Sequence, residues 1–367
     1  MKTLVIIIVS GLFSFLGVRA QEDVSVPFDS DRWDLTNAEY TFQEYEGKKA
    51  ILLQQGFIFL KDLKLLNGSF EFDINFSSLR NFPGVAFRVQ EDFLNFEEFY
   101  LRPHQSGNPD ANQYNPVFNG LSGWQLYHGE EYSTPVNYEF NKWHHIKIVV
   151  HGNQAEVYFD DMDKPLLEIS ELKQKHVAGT IGMRTFTNVH FANFQYQLNE
   201  EDVAEVPIAR ANIEGLIENW QISDLNNNGK FQDKQRLTKS DLADIEWTTC
   251  SVQSEGFLNI AEFVKIKPDS ATAVVKLEIN SEKAVMKQVD FGYSDFVRIY
   301  LNGQIVYSGA NNFRSRDYRY LGTIGFFDTV YLPLKKGNNQ VLFVVRENFG
   351  GWGLQAKIAD REGIQLK

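Results

Sequence analysis

The chain has a single cysteine, Cys250, so no disulfide can form within it and its stability must come from packing. A buried, inert thiol is the expected state of that residue. Beyond the first twenty residues no apolar run approaches the roughly 18 residues that a membrane-spanning helix requires. Positive charge is in deficit: 36 Lys and Arg against 48 Asp and Glu leave a formal charge of −12, a field that attracts neither nucleic acid nor an anionic membrane. There is no Gly-x-Ser-x-Gly elbow, no phosphate loop and no dinucleotide fingerprint, so acyl transfer, phosphoryl transfer and hydride chemistry lack support. No internal repeat is visible, which excludes solenoids and propellers.

What the chain has in quantity is aromatic side chains. Phe, Tyr and Trp make up 14% of it, with 30 Phe and 15 Tyr. Together with abundant Val and Ile and few helix-period runs, they predict an all-β protein. Its length exceeds what one core usually supports, so two β-sandwich domains of the jelly-roll kind are expected. Residues 1–20 read as an export signal: Lys2 starts it, an apolar run follows, and Val18-Arg19-Ala20 has the small-x-small form of a cleavage site. A mature protein secreted or periplasmic, with no membrane span, is the expectation. The first domain spans 21–198. An acidic linker at 199–211 carries Glu200, Glu201, Asp202 and Glu205, and a second domain spans 212–367.

Strands are predicted in the first domain at 50–60, 70–76, 84–89, 98–102, 144–151, 155–159, 179–184 and 190–197. In the second they fall at 273–279, 296–301, 304–308, 329–334 and 340–346, with a short helix near 239–245. Asn302-Gly303 is a strong hairpin signal, because both turn positions need a positive φ.

Two strands alternate apolar residues with residues suited to a hydroxylated ligand. In one, Phe70, Phe72, Ile74 and Phe76 share a face while Glu71, Asp73 and Asn75 take the other. In the other, Glu98, Tyr100, Arg102 and His104 alternate with Phe99, Leu101 and Pro103. With Arg88, these offer forked donors, carboxylate acceptors and a flat ring for a sugar to stack on, although salt bridges across the sheet explain the charged members equally well. The long polar segment 103–135 reads as a functional loop, with Trp124 and Tyr127 as stacking platform and Gln125 and His128 as hydrogen-bond partners; the competing reading pins these rings to the sandwich.

Metal binding is not expected. All seven histidines precede residue 191, none has metal-ligand spacing, and His144 and His145 point to opposite faces. Asp224-x-Asn226-x-Asn228-Gly229 matches the opening of a calcium loop, but Gln235 stands where the bidentate glutamate belongs. An Asn-rich turn is the default there, with Ca²⁺ as the alternative, and no other cofactor is implied.

Five segments carry a likeness: Gly68-Ser69-Phe70-Glu71-Phe72-Asp73, Phe82-Pro83-Gly84-Val85-Ala86-Phe87-Arg88, Trp143-His144-His145-Ile146-Lys147-Ile148, Gly152-Asn153-Gln154-Ala155-Glu156-Val157-Tyr158 and Gly179-Thr180-Ile181-Gly182-Met183-Arg184. With them the first domain resembles the concanavalin A-like lectin and glucanase superfamily, in the branch of laminin-G-like modules and 3-keto-disaccharide hydrolases. The resemblance implies two curved antiparallel sheets with a concave face open to saccharide. Glu71, Asp73 and Asn75 fall where laminarinase-type relatives carry Glu-x-Asp-x-Glu, and Asn75 in place of the second glutamate removes half of an acid pair. The second domain is similar to galactose-binding-like jelly rolls through Phe296-Val297-Arg298-Ile299-Tyr300-Leu301-Asn302-Gly303 and Gly351-Trp352-Gly353.

The sequence thus reads as a non-catalytic carbohydrate-binding protein whose partner is a glycan or oligosaccharide, with its second domain as an accessory module. One alternative is a hydrolase of the 3-keto-disaccharide or glucanase type, using Glu98, Arg102 and His104 or the Glu71 and Asp73 strand. A structural or adhesion protein is the other.

Overall fold

The computed structural model describes residues 23–199, 201, 203–224, 231, 234–243, 245–267, 271–317 and 319–367. The export segment 1–20 and Asn226, Asn228 and Gly229 of the calcium-like motif lie outside the described residues. Among the described residues the protein is all-β, with three short 3₁₀ turns and no α-helix. The helix expected near 239–245 is only the turn Lys239–Asp241, where the Asp241 carboxylate folds back onto the Thr238 amide at 2.8 Å. Among the described residues no helix is long and apolar enough to cross a membrane.

Fourteen strands of the first half form one antiparallel sheet that folds over on itself. The corner is the 13-residue strand Lys48–Leu60. Ahead of the corner it pairs with Val189–Asn199, and beyond it with Thr180–Thr185. Its fully buried residues are Ile51 and Leu53, then Ile58 and Leu60, so the alternation slips by one between them. Gly56 sits in that slip at φ +115°, where a Cβ would lie 2.4 Å from the Asn37 carbonyl oxygen. Only glycine fits there.

The two layers made by this fold share one core. Phe70, Phe72 and Ile74 face Val85, Phe87, Phe99 and Leu101 across it, and each such buried side chain contributes about 2 kcal/mol. The segment 103–135 is not a loop throughout. It contains the strands Asn112–Phe118 and Leu121–Ser122, which extend the layer beyond Phe96–Leu101. Amides facing outward at Gln113 and Asn115 hide the apolar alternation by which a strand is recognised.

The second half packs a seven-stranded sheet on a four-stranded one. Val275, Leu277, Phe343 and Val345 of the first meet Phe291, Leu332 and Leu354 of the second. The turn between Phe296–Leu301 and Gln304–Ala310 has φ +51° at Asn302 and +83° at Gly303, as an Asn-Gly hairpin requires. Cys250 is buried there, and burial pushes its thiol up to about 12.

The two halves meet through residues 123–132. Leu126 is buried over Gly351 and Gly353, and a Cβ at Gly353 would come within 2.5 Å of it. Phe257 and Ile324 of the second half belong to the same apolar cluster as Leu126, Tyr127 and Tyr132 of the first. With the two cores in contact, calorimetry of the whole chain should give a single transition whose calorimetric and van't Hoff enthalpies agree. Leu126→Ala, which costs about 2–5 kcal/mol, should resolve it into two.

Candidate functional site

A cleft of about 920 Å³ opens between the outward face of one layer of the first half and three loop segments of the second. Strand register builds its floor. One row runs Phe57, Arg184, Gly84, Tyr100 and Gln113, and the next runs Phe59, Gly182, Ala86, Glu98 and Asn115. The small residues are there to make room. A Cβ on Gly84 would sit 2.7 Å from Tyr100 Cβ, and one on Gly182 would sit 2.6 Å from the Phe57 ring.

The polar side chains of the floor hold one another. Arg184 Nε donates to the Glu98 carboxylate, while Asn115 Nδ2 lies 3.4 Å from Glu98 Oε2 and donates to Ser122 Oγ at 2.9 Å. Arg102 Nη2 donates to Tyr100 OH at 2.7 Å, and Tyr100 OH donates to Gln113 Oε1 at 2.8 Å. The Arg102 and Arg184 guanidinium carbons lie 4.9 and 5.5 Å from the Tyr100 ring centroid. Burial pushes the Tyr100 phenol up to about 12, with Arg102 opposing. Tyr100 therefore stays a neutral donor.

Rings form the walls. Phe82 packs edge-on to His104 at 5.2 Å, and Phe186 is 59% exposed beside it. Trp124 meets Phe349 at 5.7 Å and Phe313 at 6.3 Å, both from the second half, and Phe349 is 51% exposed. Burial lowers His104, and the Arg80 and Arg102 charges lower it further.

Glu347 also lines the cleft and is 5% exposed. Its Oε1 accepts the Gly351 amide at 3.3 Å, while its buried Oε2 has no partner. Burial and the neighbouring Asp295 raise its carboxyl to about 8. Asp295 is fully buried and accepts the amides of Asn348 and Phe349 at 2.7 and 2.6 Å. Burial raises it to about 6 against those amides.

The sequence-derived set is divided by this geometry. Glu98, Tyr100, Arg102, His104 and Trp124 line the cleft. Glu71 and Asp73 lie on the outward face of the other layer, across the sandwich core from it. There Asp73 is tied to Lys48 Nζ at 2.7 Å, to His145 Nδ1 at 2.8 Å and to Asn193, while Glu71 pairs with Gln195. Alternation from Gly84 and Ala86 would send Arg88 into the cleft as well. A register shift against Thr180 and Gly182, with φ +50° at Arg88, turns it inward instead. Its guanidinium is spent on the Leu66 carbonyl at 2.7 Å and the Gly152 carbonyl at 2.5 Å.

Tyr127 and His128 belong to the junction between the halves. Tyr127 is fully buried against Phe257, donating to Gln253 Oε1 at 2.8 Å, and His128 Nε2 lies 3.2 Å from the Ile324 carbonyl oxygen. Sequence reasoning did not single out Arg184, Phe186, Phe313, Phe349 or Glu347. The pair Arg184 and Phe186 was open to the same alternation argument as Glu98 and Tyr100. The residues of the second half were not, since they lie on irregular segments. Among the described residues no group of three His, Cys, Asp or Glu gathers as a metal site would need.

No family model matches the chain, and no curated protein matches it. Solved structures that resemble it include a carbohydrate-binding module, CBM66, from Bacillus subtilis, 16% identical over 46% of this chain and 92% of that one, with a TM-score of 0.34. A Bacillus licheniformis beta-glucanase is 10% identical over 50% of this chain and 100% of that one, with a TM-score of 0.32. A galectin from Caenorhabditis elegans is 13% identical over 42% and 94%, with a TM-score of 0.28. At this level the likenesses carry no functional argument.

The raised Glu347 carboxyl makes stability fall with pH. The folded chain keeps a proton that the unfolded chain releases near the ordinary value of 4.5, so stability is lost as pH climbs from there through about 8. In urea unfolding at a series of pH values, Glu347→Gln should shrink the loss between about pH 5 and pH 8.5 by on the order of 3 kcal/mol.

Proposed function

We propose that the protein binds carbohydrate outside the cytoplasm, in the cleft between its two halves, and does so without chemistry. The observation that carries this reading is the pairing of exposed rings with a fixed polar floor in one hollow. Phe186 and Phe349 stand open to solvent from opposite halves of the chain, while Tyr100, Arg102 and Gln113 below them are held by mutual hydrogen bonds and Asn115 by Ser122. Sugars present apolar ring faces edged by hydroxyls. A flat ring covers the face, and oriented donors and acceptors meet the edge. The cleft also holds buried polar atoms without a partner, His104 Nδ1 and Glu347 Oε2, and an apolar ligand would leave them so, which is costly.

The absence of chemistry is supported by how the first half's carboxylates are engaged. Glu98 is held by Arg184, and Asp73 by Lys48 and His145. Neither is placed as a free base. Isothermal calorimetry against a panel of oligosaccharides tests the proposal: binding is expected, and Phe186→Ala and Phe349→Ala should each weaken it about tenfold with little change in melting temperature. Binding to no glycan in the panel would refute it.

One observation favours the hydrolase reading. Glu347, with an unpartnered oxygen and a raised carboxyl, lines the same cleft as the ion-paired Glu98, and two carboxyls in unlike environments are how glycosidases divide acid from base. Product analysis after long incubation with the bound saccharide separates the readings. The binding reading expects no turnover; turnover abolished by Glu347→Gln would establish the other.

A further inference from the structure

The charge lining the cleft runs against the charge of the chain. In a protein of net charge −12, the described residues that line the cleft include four arginines, Arg80, Arg102, Arg184 and Arg314, and no lysine. Among the described residues its carboxyl groups are three. Glu98 is ion-paired with Arg184, and Asp110 approaches Arg102 at 4.0 Å. Glu347, raised to about 8, is uncharged at neutral pH. Four guanidinium groups thus face two carboxylates, both already engaged.

The remaining cations are Arg80 and Arg314. Arg80 comes from the first half, with its guanidinium carbon 5.4 Å from the Phe82 ring centroid, and Arg314 from the second, 4.9 Å from the Phe313 ring. Each rests on an aromatic face, and neither has a carboxylate among the described residues within ion-pair reach. Burial lowers His104 first, and the Arg80 and Arg102 charges lower it further, with Asp110 opposing. A guanidinium stacked on a ring loses little freedom on binding, and its planar fork matches the oxygens of a carboxylate or sulfate. A neutral sugar needs none of this.

Resting on the saccharide reading above, we infer that the cleft selects an acidic glycan, a chain bearing carboxylate or sulfate groups, which Arg80 and Arg314 grip from opposite walls. Because the chain as a whole repels such a polymer, the selectivity is local to the cleft and fades with added salt.

The test is calorimetry of the whole protein with three probes, polygalacturonate, a sulfated galactan and a neutral galactan, in low and high sodium chloride. A charged probe should bind more tightly than the neutral one, by a margin that narrows with salt, and the uronate and sulfate arms identify which anion is preferred. Arg80→Gln and Arg314→Gln should each reduce that margin about tenfold, the size of one charge-assisted contact. If the neutral galactan binds as well as both charged probes and the arginine variants leave the ratio unchanged, this inference is overturned while the saccharide reading stands. If none of the three binds, and the broader oligosaccharide panel is equally silent, the saccharide reading falls and takes this one with it.

Discussion

The roof of the cleft is tied over its floor by one buried amide side chain, that of Gln125. It is fully buried at the meeting of the two halves, donating to the Leu321 carbonyl at 2.6 Å and accepting from Ser294 Oγ at 3.0 Å. Its backbone joins in, with its N–H on the Gly350 carbonyl at 2.8 Å and its own carbonyl receiving the Ile324 amide at 3.0 Å. A buried polar group is expensive when unsatisfied and specifying when satisfied, and Gln125 is satisfied at every atom that can bond. Gly322 and Gly350, at φ +81° and +97°, let the neighbouring backbone come close. A Cβ on either would fall 2.3 or 2.6 Å from this side chain. The contact fixes the height of the roof above the floor, because Leu321 and Gly350 are themselves part of that roof.

The acids of the structure show how differently burial can be compensated. Glu97, wholly buried on the core side of its strand, accepts the Tyr114 hydroxyl at 2.7 Å and the Gln174 amide at 2.8 Å, and burial still lifts it to about 6. Glu98, the next residue, points the other way and is met by a guanidinium. Glu347 has neither remedy. One oxygen has a long contact to an amide and the other has nothing, with a second acid close by. Packing alone gives no reason to keep a carboxyl there, which sets Glu347 apart from Glu97.

Much of the fold was legible in the sequence because strands announce themselves by period. The inward set Phe70, Phe72, Ile74 and Phe76 and the Asn302-Gly303 hairpin were readable from alternation and turn chemistry alone. Half of the candidate site was readable for the same reason, since Glu98 and Tyr100 share a strand face. The rest failed where the period is broken or conveys nothing. Arg88 was misplaced because a register shift leaves no mark in the residue types. Glu71 and Asp73 were grouped with Glu98 because alternation gives the face of a strand but not the layer to which that strand belongs. The roof was out of reach, since Phe313 and Phe349 lie on irregular segments whose position depends on contacts with a turn nearly two hundred residues upstream.

The division of the cleft between halves has a corollary for how each part tolerates change. Floor side chains are interlocked by register, so exchanging one disturbs its neighbours, whereas Phe313, Arg314 and Phe349 sit on segments free of any ladder and can be replaced piecemeal. Substitution can therefore reshape the ceiling while the ground beneath it stays unchanged. Neither half alone carries both the floor and the ceiling of the cleft.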